Sequence, residues 1–322
     1  MLATTKTPAR RPAVNVAQFS ALIALLGLVL FNVVTTPNFL TLNTLNINMT
    51  QTATILIVAV GMTYVIATGG IDLSVGSIMA ISGAIAPLLF LNAHLSPGVA
   101  LGLAVLLPLT AAGLCGVFNG LLVTRFHVQP IIATLVLFIA GRGIAQVISG
   151  GALVNFPPST FTFLGTARFF GVNIQVFLML LILAVATWVL RSTLFGRHVV
   201  AVGGNAQAAW LSGVPVARTR VAVYAISGML AGLAGLITIA VNNSSDANLV
   251  GQNMELDAIA AVAVGGTALS GGKVTLFGTL VGALFIQLLR YTLLVKGMPD
   301  AAALIVKAAI IIAAVALQYR RK

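Results

Sequence analysis

Five carboxylates, three histidines and one cysteine are the whole stock from which this 322-residue chain could build acid–base, nucleophilic or metal chemistry. Their placement argues against all three. His94, His127 and His198 are scattered, with no Cys, Asp or Glu at ligand spacing, so no metal site is legible. Cys115 lies in Gly113-Leu114-Cys115-Gly116, an apolar setting that reads as packing and offers no disulfide partner. Glu255 and Asp257, in "MELDAIA", are two residues apart. On a helix they point in different directions, which suits negative charge at a helix N-terminus better than a catalytic pair. There is no Gly-x-Ser-x-Gly elbow, and "AVGGN" at 201–205 lacks the Gly-Lys-Ser/Thr of a phosphate loop. Hydrolysis and nucleotide binding are therefore either absent or supplied by another chain: the expectation is no enzyme, no metal and no cofactor on this one.

Asp72 poses a different question. It stands in "TGGIDLSVGSIMA" (68–80), within a long oily stretch, where insertion of an aspartate at the centre of a span costs about 2.5–3.5 kcal/mol. Gly69-Gly70 can end one helix while Asp72 or Ser74 caps the next, accepting from backbone N–H groups two or three residues on. Alternatively Gly70, Asp72 and Ser74 line a conduit, since broken helices in transporters present their termini to polar cargo. Arg142, in "AGRGIAQ", is expected first to pair with an acid; snorkelling, or donation to a hydroxylated solute, are the other readings. Asn119, in "GVFNGLL", reads as interhelical glue before it reads as a lining residue.

The elements that must carry these residues are membrane helices. The chain is 59% hydrophobic and 7% charged, with a mean hydropathy of +1.10, more apolar surface than one water-soluble core can hide. A net charge of +12 could suggest nucleic acid, but the basic residues flank apolar runs instead of covering a polar, aromatic-interleaved surface, so no nucleic-acid partner is expected. Cut on a ruler of about 20 residues per span, the chain gives an all-α polytopic protein of ten segments: 17–35, 50–68, 74–92, 98–123, 129–149, 173–190, 220–241, 257–271, 275–292 and 301–318. The eighth is short and glycine-rich and is expected to be broken or re-entrant. Residues 1–16 form a tail and 17–322 a single transmembrane domain; the first apolar run is too long for a signal h-region and is expected to be retained as an anchor. With both termini cytoplasmic, alternation leaves only Arg168, Arg290 and Lys296 outside, the asymmetry that the positive-inside rule requires.

Small-xxx-small pairs at Gly98/Gly102, Gly116/Gly120, Gly228/Gly232 and Gly278/Gly282 allow close helix approach. "VAVGMT" (58–63) echoes "VAVGGT" (262–267), each followed by a Gly-Gly pair. In the cytoplasmic loop 191–219, "GGNAQAAWLSGVPV" offers Asn205 as an N-cap, about two helical turns, and a stop at Gly213 and Pro215. Such a short, partly apolar helix docks a cytosolic protein or lies on lipid.

The blocks "AVGMTYVIATGGIDLSVGSIMAISGA" (59–84), "VQPIIATLVLFIAGRGIAQ" (128–146), "FGRHVVAVGGNAQAAWLSGV" (195–214) and "ELDAIAAVAVGGTALSGG" (255–272) together resemble the permease subunits of bacterial monosaccharide ABC importers, most of all the ribose and galactofuranose types. The resemblance covers the chain from residue 20 onward. It implies a multi-pass protein of the bacterial inner membrane and a second permease subunit, identical or not. It further implies an extracytoplasmic sugar-binding protein and a cytosolic ATPase that carries ATP and Mg. It places the coupling helix at Asn205 to Gly213, with Ala208 and Leu211 on it and Gly203 and Gly204 as its lead-in. The 69–76 block would be the family's break near the pathway, and Glu255 and Asp257 belong to its "ELDAIA" block. An ion- or proton-coupled secondary transporter is the rival class, for which Asp72 is the one clear midplane carboxylate. A membrane enzyme would need His, Asp or Glu clustered at one interface, which the sequence lacks.

Overall fold

Thr41 opens the most deeply buried of the long helices described, its hydroxyl accepting from Thr44 N–H. That helix, α2 (Leu42–Ala67), is the axis of the fold: every residue from Thr52 to Ala67 is buried. A helix apolar on all sides has to be surrounded by other helices, and it is. Before it comes α1 (Val16–Thr35); after it come α3 (Val75–Phe90), α4 (Pro97–Thr124) and α5 (Pro130–Ser149). A one-turn helix α6 (Phe163–Thr166) and the long α7 (Ile174–Ser192) follow, then α8 (Leu194–Gly204), α9 (Ala206–Leu211), α10 (Val216–Asn242), α11 (Met254–Val264), α12 (Leu276–Val295) and α13 (Asp300–Tyr319). Four two-residue strands pair in a cross-loop ladder (154–155 with 244–245) and a hairpin (168–169 with 172–173). The computed structural model describes residues 16–92, 94–157 and 161–319. The expected tail, with Lys6, Arg10 and Arg11, and the final basic residues 320–322 lie outside the described residues. By length and apolarity six of the described helices, α2, α4, α5, α7, α10 and α12, can cross a membrane on their own.

Glycine sets how closely these helices meet. A Cβ on Gly116 would overlap the carbonyl of Tyr224, one on Gly120 would lie 2.7 Å from Val221 Cα, and one on Gly228 would overlap the carbonyl of Ala112, so α4 and α10 pack backbone to backbone. Gly278 and Gly282 bring α12 onto Gly265 and Ala261 in the same way. The Gly98/Gly102 pair differs: both face open space, and the spacing there marks no helix crossing among the described residues.

Two helices begin inside the molecule. Ser227 of α10 packs against Gly61, with a Cβ there 2.9 Å from Ser227 Cα, and its hydroxyl also reaches Asp72. Asp72 therefore sits level with Gly61, about 9 Å inward from the end of α2 at six residues of 1.5 Å rise. After Thr68 the chain turns back into the slab and starts α3 there. From the other side, the segment after α10 re-enters as well: the left-handed Gly251 (φ 70°) packs on Gly76, and α11 begins three residues later. The N-termini of α3 and α11 thus meet in the interior and the two helices run to opposite faces. α11 is only 11 residues long, about 16 Å. The apolar segment expected at 257–271 is helical only to Val264; left-handed glycines at 266, 271 and 272 then carry the chain to α12.

Candidate functional site

The interior break is held by side chains from three other helices. α2 ends with Thr68, Gly69 in the left-handed region (φ 81°) and Gly70 N–H donating to the Val65 carbonyl at 3.1 Å. Asp72, fully buried, accepts through Oδ1 from Ser74 N–H (3.0 Å) and Ser74 Oγ (2.6 Å), and through Oδ2 from Ser227 Oγ (2.9 Å). Ser74 is the N-cap of α3 by position but makes no side-chain capping bond; the aspartate two residues earlier takes that part. Asn119 Nδ2 of α4 donates to Ser74 Oγ at 2.8 Å. Thr134 of α5 accepts from Leu73 N–H at 3.1 Å. Gly70 is a close-approach position, since a Cβ there would lie 2.6 Å from the Tyr224 hydroxyl. Asp72, Ser74 and Asn119 therefore form one buried, hydrogen-bonded cluster, with Gly70 packed beside it. Ser227, Thr134 and Tyr224, which complete it, give no sequence signal beyond being polar atoms within apolar spans.

Arg142 is not paired with an acid, the arrangement expected first. Its Nη1 donates to the carbonyls of Ala247 (2.7 Å) and Val250 (2.6 Å), tying α5 to the segment that re-enters before α11. Irregular backbone at membrane depth has carbonyls without helical partners, and a five-donor guanidinium satisfies them.

Glu255 and Asp257 diverge, as their spacing requires. Glu255 is buried and its Oε2 faces Gly76, where a Cβ would lie 2.5 Å away; that oxygen accepts no hydrogen bond among the described residues. Asp257 turns the other way and forms a buried ion pair with Lys307 of α13. Both acids stand in the first turn of α11, where their charge favours the exposed N–H groups. Lys307 is the lone cation well inside the last apolar segment, a signal the sequence carried and the reading of single motifs passed over.

The stretch 191–219 holds two helices. α8 was not anticipated, and Gly203 and Gly204 are its last two residues, so they close a helix instead of leading into the next. Asn205 then caps α9, its Oδ1 accepting from Ala208 N–H at 3.0 Å. The helix stops at Gly213 (φ 82°), with Val214 N–H returning to the Ala209 carbonyl. Ala209 packs inward; Ala208, Trp210 (67% exposed) and Leu211 (73% exposed) face out. Gly203 is where this unit touches the core: a Cβ would overlap the Ala67 carbonyl and lie 2.6 Å from Gly272 N, which itself donates to Ala67 at 3.0 Å.

Residues 44–315 match the model of the family described as branched-chain amino acid transport system / permease component. Among curated proteins, the ribose import permease protein of Escherichia coli (strain K12) is 40% identical over 309 residues, covering 94% of each chain. A galactofuranose transporter permease protein from the same organism is 38% identical over 273 residues, 85% of this chain and 79% of that one. The L-arabinose ABC transporter permease protein of Azospirillum brasilense is 34% identical over 302 residues, 93% and 87% respectively. No solved structure matches.

Proposed function

The chain belongs to the branched-chain amino acid transport system / permease component family, and from that premise we propose that it imports a monosaccharide as the membrane subunit of an ATP-driven ABC importer. The observation that carries the reading is the 40% identity to a ribose import permease across 94% of both chains, which takes in the interior break, α9 and α11 together. Ribose, galactofuranose or a related sugar is the proposed cargo.

Such a protein does no bond chemistry. It needs two packings of its helices that differ by a few kcal/mol, and partners that bias them. The ATPase, with its ATP and Mg, is assigned to the cytosolic side against α9, whose outward Trp210 and Leu211 suit a docking surface. Arg125, Arg191, Arg197, Arg218, Arg220 and Lys273 all flank helix ends on the α9 face, whereas Arg168 and Lys296 flank the opposite one. That bias supports a cytoplasmic α9 face, with both termini on it. A binding protein on the other side and a second permease subunit, identical or not, complete the assembly in the bacterial inner membrane.

The test is reconstitution in lipid vesicles with the co-expressed ATPase and binding protein, followed by uptake of labelled monosaccharides and, for comparison, branched-chain amino acids. Accumulation of a sugar that requires ATP is the expected result. Accumulation without nucleotide, abolished by collapsing an ion gradient, would establish the secondary-transporter reading instead.

A further inference from the structure

We propose that the cleft between α11, α12 and α13 holds the hydroxyl-rich solute during its passage, an inference that rests on the import function above and adds the place of binding. The cleft has a volume of about 200 Å³ and is lined by Gln252, Asn253, Asp257, Arg290 and Lys307 with an apolar floor that includes Leu289 and Leu304. That is below the roughly 300–1,000 Å³ typical of drug-sized ligands and fits one small solute.

Depth makes this lining significant. Lys307 is seven residues, about 10 Å, from the start of α13, and Arg290 is five residues, about 7 Å, from the end of α12. Both therefore stand on the helices themselves, inward of the connection between α12 and α13. Polar side chains at that depth face a water-filled cavity or protein, not lipid. Here Gln252 and Arg290 are exposed and Asn253 is half-exposed, so the polar wall is open.

The groups are also available. Asn253 occupies the N-cap position of α11 in a left-handed conformation (φ 60°), yet its side chain makes no capping bond, which leaves the amide free toward the cleft. Lys307 engages one oxygen of Asp257, Oδ1. Two amides, a guanidinium and a carboxylate edge mix donors with acceptors, the pattern that vicinal hydroxyls match because each hydroxyl both donates and accepts. Leu289 and Leu304 offer apolar contact to the C–H face of a sugar ring. A phosphate-bearing lipid headgroup fits worse, because Asp257 would repel it and already neutralises Lys307.

The experiment uses the complete transporter in vesicles, with Cys115→Ser as background and one new cysteine, Leu304→Cys in the cleft or Leu106→Cys on α4. The two leucines are 42% and 61% exposed, so neither substitution opens a cavity in the packed core. A charged, membrane-impermeant thiol reagent is expected to label Leu304→Cys and not Leu106→Cys, and whichever of ribose, L-arabinose, fructose or galactofuranose the vesicles accumulate is expected to slow that labelling. Adding Asn253→Ala should raise the half-protecting sugar concentration roughly three- to tenfold, the loss of one neutral hydrogen bond. Labelling that no sugar slows, or labelling only by a lipid-soluble maleimide, overturns the proposal. ATP-dependent uptake measured in the same vesicles separates the two readings: uptake without protection removes the cleft and leaves the import function standing.

Discussion

Replacing Asp72 with leucine removes the acceptor of three hydrogen bonds in a site with no exposed surface. The three donors do not suffer equally. Ser227 Oγ can rotate toward the carbonyl one turn back in α10, as serine hydroxyls in helices do, and Ser74 Oγ keeps the Asn119 amide as neighbour. Ser74 N–H has no such freedom, and a buried, unsatisfied donor costs about 1–3 kcal/mol. With partial losses at the two hydroxyls and a bulkier, branched side chain, Asp72→Leu should destabilise the protein by about 2–5 kcal/mol. Asp72→Asn keeps an oxygen for both Ser74 bonds and turns an NH₂ toward Ser227, whose hydroxyl can accept; its cost should be about 1 kcal/mol. Thermal unfolding of the detergent-purified complex, with membrane expression level as a second readout, should rank wild type, Asn and Leu in that order. If the leucine variant unfolds at the wild-type temperature, the break is not held by this cluster and the account of how α3 starts is wrong.

Leu211→Asp puts a charge on the outward face of α9; vesicle assays should show sugar-dependent transport lost while insertion and unfolding temperature stay as in wild type, because an unpaired charge at a docking surface costs several kcal/mol only when the partner buries it. Gly228→Ala should lower stability by about 1–3 kcal/mol through overlap with the Ala112 carbonyl, whereas Gly98→Ala, in open space, should change it by less than about 0.5 kcal/mol; paired melting curves check both. Lys307→Met leaves Asp257 buried without its cation and should cost about 3–5 kcal/mol, most of it recovered in the double variant with Asp257→Leu.

The long spans were legible because hydrophobic length is a physical requirement of the bilayer, and α4, α5, α7, α10 and α12 fall where apolar runs of that length occur. The helix break at Gly69-Gly70 and the cap on α9 were legible too, since left-handed glycine and an Asn N-cap act over three or four residues. What could not be read was tertiary. Arg142 looked like half of an ion pair because a lone span cation usually needs an acid; the structure gives it carbonyls of a re-entrant segment, which exist only once that segment has folded back. The partner of Asp257 is fifty residues away on another helix, a separation that no local motif records. Ser227 and Thr134 carry no signal at all until α10 and α5 meet the break. The Gly98/Gly102 spacing shows the converse, a motif with the right period and no helix across from it among the described residues.

The two Gly-Gly pairs that echo each other along the chain converge at one point. Cβ atoms on Gly271 would sit 3.0 Å from both Gly69 N and the Gly203 carbonyl, and on Gly272 3.0 Å from Gly204 Cα. Three backbone segments thus meet without an intervening side chain: the end of α2, the end of α8, and the segment joining α11 to α12. A junction made of main chain cannot absorb a displacement by changing rotamers, so a shift of α8 and α9 is passed to the segments it touches. One of those leads directly into the break that starts α3, the other into the end of α11, and these are the two helices whose N-termini meet in the interior beside Gly76 and Glu255. The outward face of α9 is therefore joined by a short main-chain route to the two helices, α3 and α11, whose N-termini meet inside the molecule. Widening this junction with Gly203→Val should uncouple nucleotide hydrolysis from sugar uptake, read as ATPase activity that persists while vesicle accumulation falls. Tight coupling in that variant would mean that force enters elsewhere.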